Sequence, residues 1–368
     1  MRKSDRLRRT VAAVALAAVL GFAALALAAC GSDEGSSNSG VPGSGTSDTI
    51  VGAGASFPYP LYSKWGSEYA NLNDVKLNYQ SIGSGGGISA IQAKTVDFGA
   101  SDAPMEPSEL EAAGLVQWPQ CVGGVVLVVN LEGVEANRLK LTADLVAKIY
   151  NGDIKDWSDP AIADVNAGVS IPAGKINVVH RSDSSGTTWI FTNYLAAAAS
   201  DVWTLGGDKE IPWPTGVGGK GNEGVAASVQ QLKGSIGYVE YAYAKETGLV
   251  TTQLQNADGK WVEPSLETFS EAAAQADWAG AEGFYLVLVN QPGAKTWPIT
   301  GASFILVQKE QEDAKRAQTM LQFFDWAFTD GGATAQGLDY VPIPEKVYQL
   351  VESKWQTITA AGAPVWPQ

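Results

Sequence analysis

The chain is short of the residues that do metal and nucleophilic chemistry. It has one histidine, His180, and two cysteines, Cys30 and Cys121, in 368 residues. So few ligands give poor support to a His/Cys zinc site or a Ser-His-Asp triad. A disulfide framework is not expected either. If Cys30 is modified, Cys121 stands alone, and it precedes an apolar run as an inert core thiol would. Charge is scarce, at 17% of residues, and positive charge is scarcer, with 25 Lys and Arg against 39 Asp and Glu. The net charge of −14 argues against a nucleic-acid partner. It leaves a small anion open, because buried local donors rather than net charge fix such a ligand. Beyond residue 30 no transmembrane helix and no internal repeat is evident.

Glycine, tryptophan and apolar residues are plentiful: 41 Gly, 12 Trp and 45% hydrophobic residues describe a folded, loop-rich protein with ample core. The length fits about two domains. Residues 1–29 read as a signal peptide. Arg2, Lys3, Arg6, Arg8 and Arg9 precede an apolar stretch from Val11 to Leu27. Leu27-Ala28-Ala29-Cys30 resembles a lipobox, which makes Cys30 a lipid-modified N-terminus, palmitate being one of the acyl groups expected there. Residues 30–47 are then a Gly/Ser-rich tether, spanning about 20–25 Å as a flexible coil. Removing residues 1–29 deletes five positive charges and one negative, so the net charge moves from −14 to −18.

After the tether, strand-like and helix-like segments alternate, which predicts α/β layers. Strands are expected at 49–51, 75–80, 97–101, 124–130, 176–179, 235–239 and 304–307. Helices are expected at 58–70, 88–94, 142–150, 187–199, 313–328 and 345–359. In such sheets ligands sit beyond the carboxyl ends of strands.

Three Gly/Ser/Thr-rich turns occupy that position. They are Gly52-Ala53-Gly54-Ala55-Ser56-Phe57-Pro58, Ser81-Ile82-Gly83-Ser84-Gly85-Gly86-Gly87 and Arg181-Ser182-Asp183-Ser184-Ser185-Gly186-Thr187. Each leads into a helix N-terminus, whose unpaired N–H groups and partial positive charge receive an anion. Ser56, Ser84, Ser185 and Thr187 supply hydroxyls. Phe57, Gly86, Gly186 and Thr187 offer backbone N–H groups. Arg181 supplies a planar fork of donors, and Asp183 is placed to hold it. Asp102 is the lone acceptor of the set. A carboxylate repels an oxyanion unless the anion brings a proton, as phosphate does near neutral pH and sulfate does not. A site built to accept from a ligand OH rejects an analogue lacking it by about 10⁴–10⁵. Other features read as structural. His180 is taken as a strand residue, Trp213 and Trp297 as packing, and Gly218-Gly219-Lys220-Gly221-Asn222 as a plain loop, since Gly follows Lys220.

These segments together resemble the substrate-binding protein of the high-affinity phosphate ABC importer, the PstS family. Further similar stretches are Thr95 to Pro104, Gly218 to Asn222, Gly237-Tyr238-Val239-Glu240-Tyr241-Ala242-Tyr243-Ala244 and Phe323-Phe324-Asp325-Trp326-Ala327. The resemblance runs from about residue 49 to the C-terminus. It implies a two-lobed periplasmic-binding-protein fold of the Venus-flytrap kind (type II) with a hinge. Residues 48–124 and 301–368 would form one lobe and residues 125–300 the other. Carried over residue by residue, the phosphate ligands would be Ser56, Phe57 through its N–H, Ser84, Asp102, Arg181, Ser185, Gly186 and Thr187, with Asp183 behind Arg181. Ser56 stands where the family often has Thr, Ser184 where Gly is common, and His180 where Arg is common. No catalytic residue, metal or cofactor is implied. The implied partners are inorganic phosphate, the permease subunits and, through them, the ATPase. A monomer on the extracytoplasmic face of the membrane, anchored through Cys30, is expected. Rival readings are a phosphate-binding lipoprotein for sensing or adhesion, and a phosphate-ester hydrolase with Ser185 as nucleophile.

Overall fold

The computed structural model describes residues 49–367. The expected signal peptide, Cys30 and tether lie outside the described residues. The chain enters as strand β1 (Thr49–Gly54), helix α1 (Tyr59–Asn73), strand β2 (Lys76–Ser81), helix α2 (Ser84–Gln92), strand β3 (Phe98–Ser101), helix α3 (Pro107–Ala113) and strand β4 (Leu115–Val129). β1 runs parallel to both β2 and β3. These strands belong to a sheet of ten strands among the described residues.

β4 organises the sheet. All of its residues from Leu115 to Val129 are buried. Its first part pairs antiparallel with Thr300–Gln308, from Leu115 against Gln308 to Gly124 against Thr300. Its last part pairs antiparallel with Ser235–Glu240, from Val125 against Glu240 to Val129 against Ile236. The register slips between Ser303 and Phe304, whose partners are Cys121 and Pro119. Gln120 is the extra residue there. Pro119 has no N–H for the ladder, so a bulge beside it is where such a strand tolerates proline. Beyond Ser235–Glu240 the strands Asn177–Arg181 and Val217–Gly219 complete a parallel set.

Sequence expectation and structure agree on most elements. The differences are informative. The strand expected at 124–130 begins nine residues earlier than 124, because Gln117, Pro119 and Gln120 interrupt the apolar run while staying inside. The helix expected at 88–94 begins at Ser84, so the glycines of the turn are its first residues. The stretch 218–222 is not a plain loop. It is the end of the strand Val217–Gly219 and the start of the helix Gly221–Gln231. Trp65, Trp118, Trp157, Trp297 and Trp355 are buried in the core. Each such ring removes on the order of 150–250 Å² from water. No described helix is long and apolar enough to cross a membrane.

Candidate anion site

Five strand-to-helix junctions converge at the carboxyl ends of the sheet strands. β1 into α1 brings Ser56 and Phe57. β2 into α2 brings Ser84, and the end of β3 brings Asp102. The strand Asn177–Arg181 feeds the helix Gly186–Ala198 and brings Arg181, Asp183, Ser185, Gly186 and Thr187. The strand Val217–Gly219 feeds the helix Gly221–Gln231 and brings Asn222. Ser56, Ser84, Asp102, Arg181, Ser185, Thr187 and Asn222 are all buried, none more than 3% exposed.

The hydrogen bonds give each hydroxyl a direction. A hydroxyl has one proton to donate and two lone pairs to accept with. Ser84 Oγ accepts from Asp102 N at 3.1 Å and Gly186 N at 3.0 Å. Ser56 Oγ accepts from Asn222 N at 3.1 Å and Asn222 Nδ2 at 2.9 Å. Thr187 Oγ1 accepts from Arg181 Nη1 at 3.1 Å and Asn222 Nδ2 at 3.1 Å. Both lone pairs of all three oxygens are therefore filled by N–H groups. Their protons remain for something that accepts. Ser185 Oγ caps its helix by accepting from Thr188 N at 3.0 Å, and its proton is likewise undonated among the described residues.

Asp102 is the counterpart. Both of its carboxylate oxygens are buried without a hydrogen-bond partner among the described residues. Burial pushes its carboxyl up from 3.8 to about 7, against a smaller pull from nearby Ser303 and Arg181 that favours the charge. The nearby Ser303 hydroxyl is also buried without a partner in hydrogen-bond geometry, and a buried acceptor left so is costly unless a ligand supplies a proton.

Arg181 is held rigidly. Its Nε donates to Asp183 Oδ1 at 2.8 Å and its Nη2 to Asp183 Oδ2 at 2.5 Å. Burial works against the Asp183 charge, but hydrogen bonds and charge from Arg181, with the Gly221 N–H, hold its carboxyl below the usual range. With Thr187 taking one Nη1 proton, one N–H on each Nη is left for a ligand. The pair cancels its own charge, so the field in the site comes chiefly from oriented dipoles.

Gly186 shows how closely the junctions meet. A Cβ there would lie 2.4 Å from Ser84 Oγ and 2.6 Å from Asp102 Cβ. Its N–H, expected to face an anion, instead donates to Ser84 Oγ. The Phe57 carbonyl accepts from Tyr340 Oη at 2.7 Å, and the Ser56 carbonyl from Tyr243 Oη at 2.6 Å. His180 is a strand residue, stacked on Trp213 at 4.9 Å between ring centres, with Nδ1 2.9 Å from Arg181 O.

Sequence reasoning passed over Asn222 and Glu240 as members of the site. Asn222 bridges Ser56 and Thr187, and its Oδ1 accepts from Glu240 N at 2.9 Å. Glu240 is buried, and burial pushes its carboxyl well above the usual range. Asn222 ends a segment whose departure from the phosphate-loop spacing hid it. The signal that was present is Gly221, the first residue of the helix, at a positive φ of 70°.

The profile of the PBP superfamily domain matches residues 39–331. A phosphate-binding protein PstS from Pasteurella multocida strain Pm70 is 52% identical over 311 residues, covering 84% of this chain and 90% of that protein. The chain belongs to the PstS family. A PstS from Methanocaldococcus jannaschii is 34% identical, covering 81% of this chain and 83% of its own. Among solved structures, a high-affinity periplasmic phosphate-binding protein, PfluDING, bound with phosphate at pH 8.5, is similar in fold. It gives a TM-score of 0.71 at 21% identity, covering 86% of this chain and 96% of that one. A phosphate-binding protein from Stenotrophomonas maltophilia gives 0.64 at 22% identity, covering 86% and 96%. PstS-family membership thus rests on sequence, and the fold agrees with it.

Proposed function

We propose that this protein binds inorganic phosphate outside the cell membrane and delivers it to the permease of a phosphate ABC importer. One observation carries the reading: buried hydroxyls with filled lone pairs and undonated protons gather at the same junctions as a buried carboxylate that has no hydrogen-bond partner among the described residues. Together they match an anion that accepts many hydrogen bonds and donates one. Phosphate meets that description near neutral pH, and sulfate does not. The proposed ligands are Ser56, Phe57, Ser84, Asp102, Arg181, Ser185, Gly186 and Thr187, with Asp183 fixing Arg181. For Gly186 the structure supports an indirect part, since its N–H already serves Ser84.

Two lobes, residues 48–124 with 301–368 and residues 125–300, close over the anion in this reading. The family names support transport, and lipid anchoring at Cys30 is proposed from the sequence alone. A sensing or adhesive lipoprotein would bind the same anion, and loss of phosphate uptake on deletion separates the two. Binding is preferred to ester hydrolysis because Ser185 Oγ serves as a helix cap and the His180 ring is turned to Arg181 O. Titration calorimetry of the purified protein tests the core of the reading. Phosphate is expected to bind and sulfate, at equal concentration, to give no heat of binding. Equal binding of the two anions overturns it.

A further inference from the structure

We propose that Asn222 is a positioning residue that turns the Ser56 and Thr187 hydroxyls into obligate donors. The inference rests on the phosphate reading and deepens it. Asn222 is fully used by the protein. Its two Nδ2 protons go to Ser56 Oγ at 2.9 Å and Thr187 Oγ1 at 3.1 Å. Its Oδ1 accepts from Glu240 N at 2.9 Å, and its own N–H goes to Ser56 Oγ at 3.1 Å. It has no proton left for an anion, and it is completely buried.

The direction of the amide is set by its surroundings. The Glu240 N–H can only donate, so the oxygen of Asn222 must face it and the NH₂ must face the hydroxyls. Those hydroxyls then have their lone pairs filled and their protons turned away from Asn222. Without its side chain, Ser56 Oγ keeps only the backbone N–H of residue 222 and Thr187 Oγ1 only Arg181 Nη1, so each loses one of two donors. Each hydroxyl is then free to rotate, and its proton is no longer aimed at the anion. Preorganised donors are worth more than donors that must be reoriented on binding. Ser56 precedes α1 while Asn222 follows the strand Val217–Gly219, 166 residues later. The polarity of Ser56 is thus decided by a distant segment of chain.

The test is a mutant cycle read by inorganic-phosphate affinity. Asn222→Ala is measured in the native background and in a background carrying Ser56→Ala and Thr187→Val. At least a tenfold loss of affinity is expected in the first background and less than a threefold loss in the second. Loss by the same factor in both, or no loss in the first, overturns the proposal. Melting curves of the phosphate-free proteins identify any variant that fails to fold. In that event Asn222→Asp, nearly isosteric, carries the test. Its second oxygen accepts the hydroxyl protons instead of donating, so its loss must also be larger in the native background than in the substituted one. Failure of the native protein to bind phosphate sinks the parent reading. Binding with equal losses in both backgrounds sinks only this one.

Discussion

Asp102 is the residue on which the proposed selectivity rests, and its carboxyl is out of its usual range in the protein itself. Burial raises it from 3.8 to about 7. A carboxyl raised on folding stabilises the native state fully below its unfolded value and loses that contribution as pH climbs through the folded value. The phosphate-free protein should therefore lose stability between about pH 4 and pH 8 through this group, by up to about 4 kcal/mol. Asp102→Asn removes the penalty. It should be more stable than the native protein at about pH 8, equal to it at about pH 4, and weaker for phosphate. Denaturant midpoints across that range check this, and an unchanged pH profile in the variant would refute it. Glu240 shows a related balance. Tyr340 has one hydroxyl proton, and the Phe57 carbonyl can only accept it. That proton is shared with Glu240 Oε2 at 2.8 Å, and with the Ala242 N–H it favours the charged carboxylate against the larger effect of burial, which raises it.

At the scale of elements, the site depends on how tightly helix starts press against strand ends. Gly87 lies in the first turn of α2. A Cβ there would meet Ala100 O at 2.5 Å and Gly54 Cα at 2.6 Å, both backbone atoms that cannot turn aside. Gly87→Ala should push α2 off β1 and β3, costing about 1–3 kcal/mol, as overpacking does. It should also weaken phosphate binding, because Ser84 on α2 and Asp102 after β3 would separate. Chemical unfolding and calorimetry check both effects, and an unaltered unfolding midpoint would refute the first. These junctions were legible in the sequence because each carries its own local chemistry of Gly, Ser and Thr after an apolar run. Arg181 and Asp183 were legible as a pair for the same reason, being two residues apart. Asn222 was not, since its partners Ser56 and Thr187 lie 166 and 35 residues away and only the glycine before it marks it locally. The first half of β4 was hidden because Gln117, Pro119 and Gln120 read as surface. Yet Gln117 is buried, with its amide satisfied by Met105 and Gly283.

Across the whole molecule, contacts join the two proposed lobes both beside the site and away from it, where Gln117 donates to the Gly283 carbonyl. Gly85 N donates to Ser184 O at 3.0 Å, Tyr243 Oη to Ser56 O at 2.6 Å, and Lys245 pairs with Asp339 at 2.6 Å. In the proposed two-lobe reading, contacts of this kind would accompany the approach of the halves. Phosphate touching both halves would favour it by its extra contacts there. Small-angle scattering should show a smaller radius of gyration after phosphate is added, and an unchanged radius would refute hinge closure. The alternation of strands and helices made the layered α/β fold legible. The placement of β4 across the middle of the sheet was not, because pairing order depends on contacts between segments far apart in sequence.

The burial of every proposed ligating side chain has a consequence for cargo. Ser56, Ser84, Asp102, Arg181, Ser185 and Thr187 are all cut off from solvent, so a phosphate held by them, as proposed, would carry any substituent into packed protein. A sugar or nucleoside carried on one of the phosphate oxygens would have to leave through packed protein. On that reading, nutrient esters should be refused on size and the bare ion accepted.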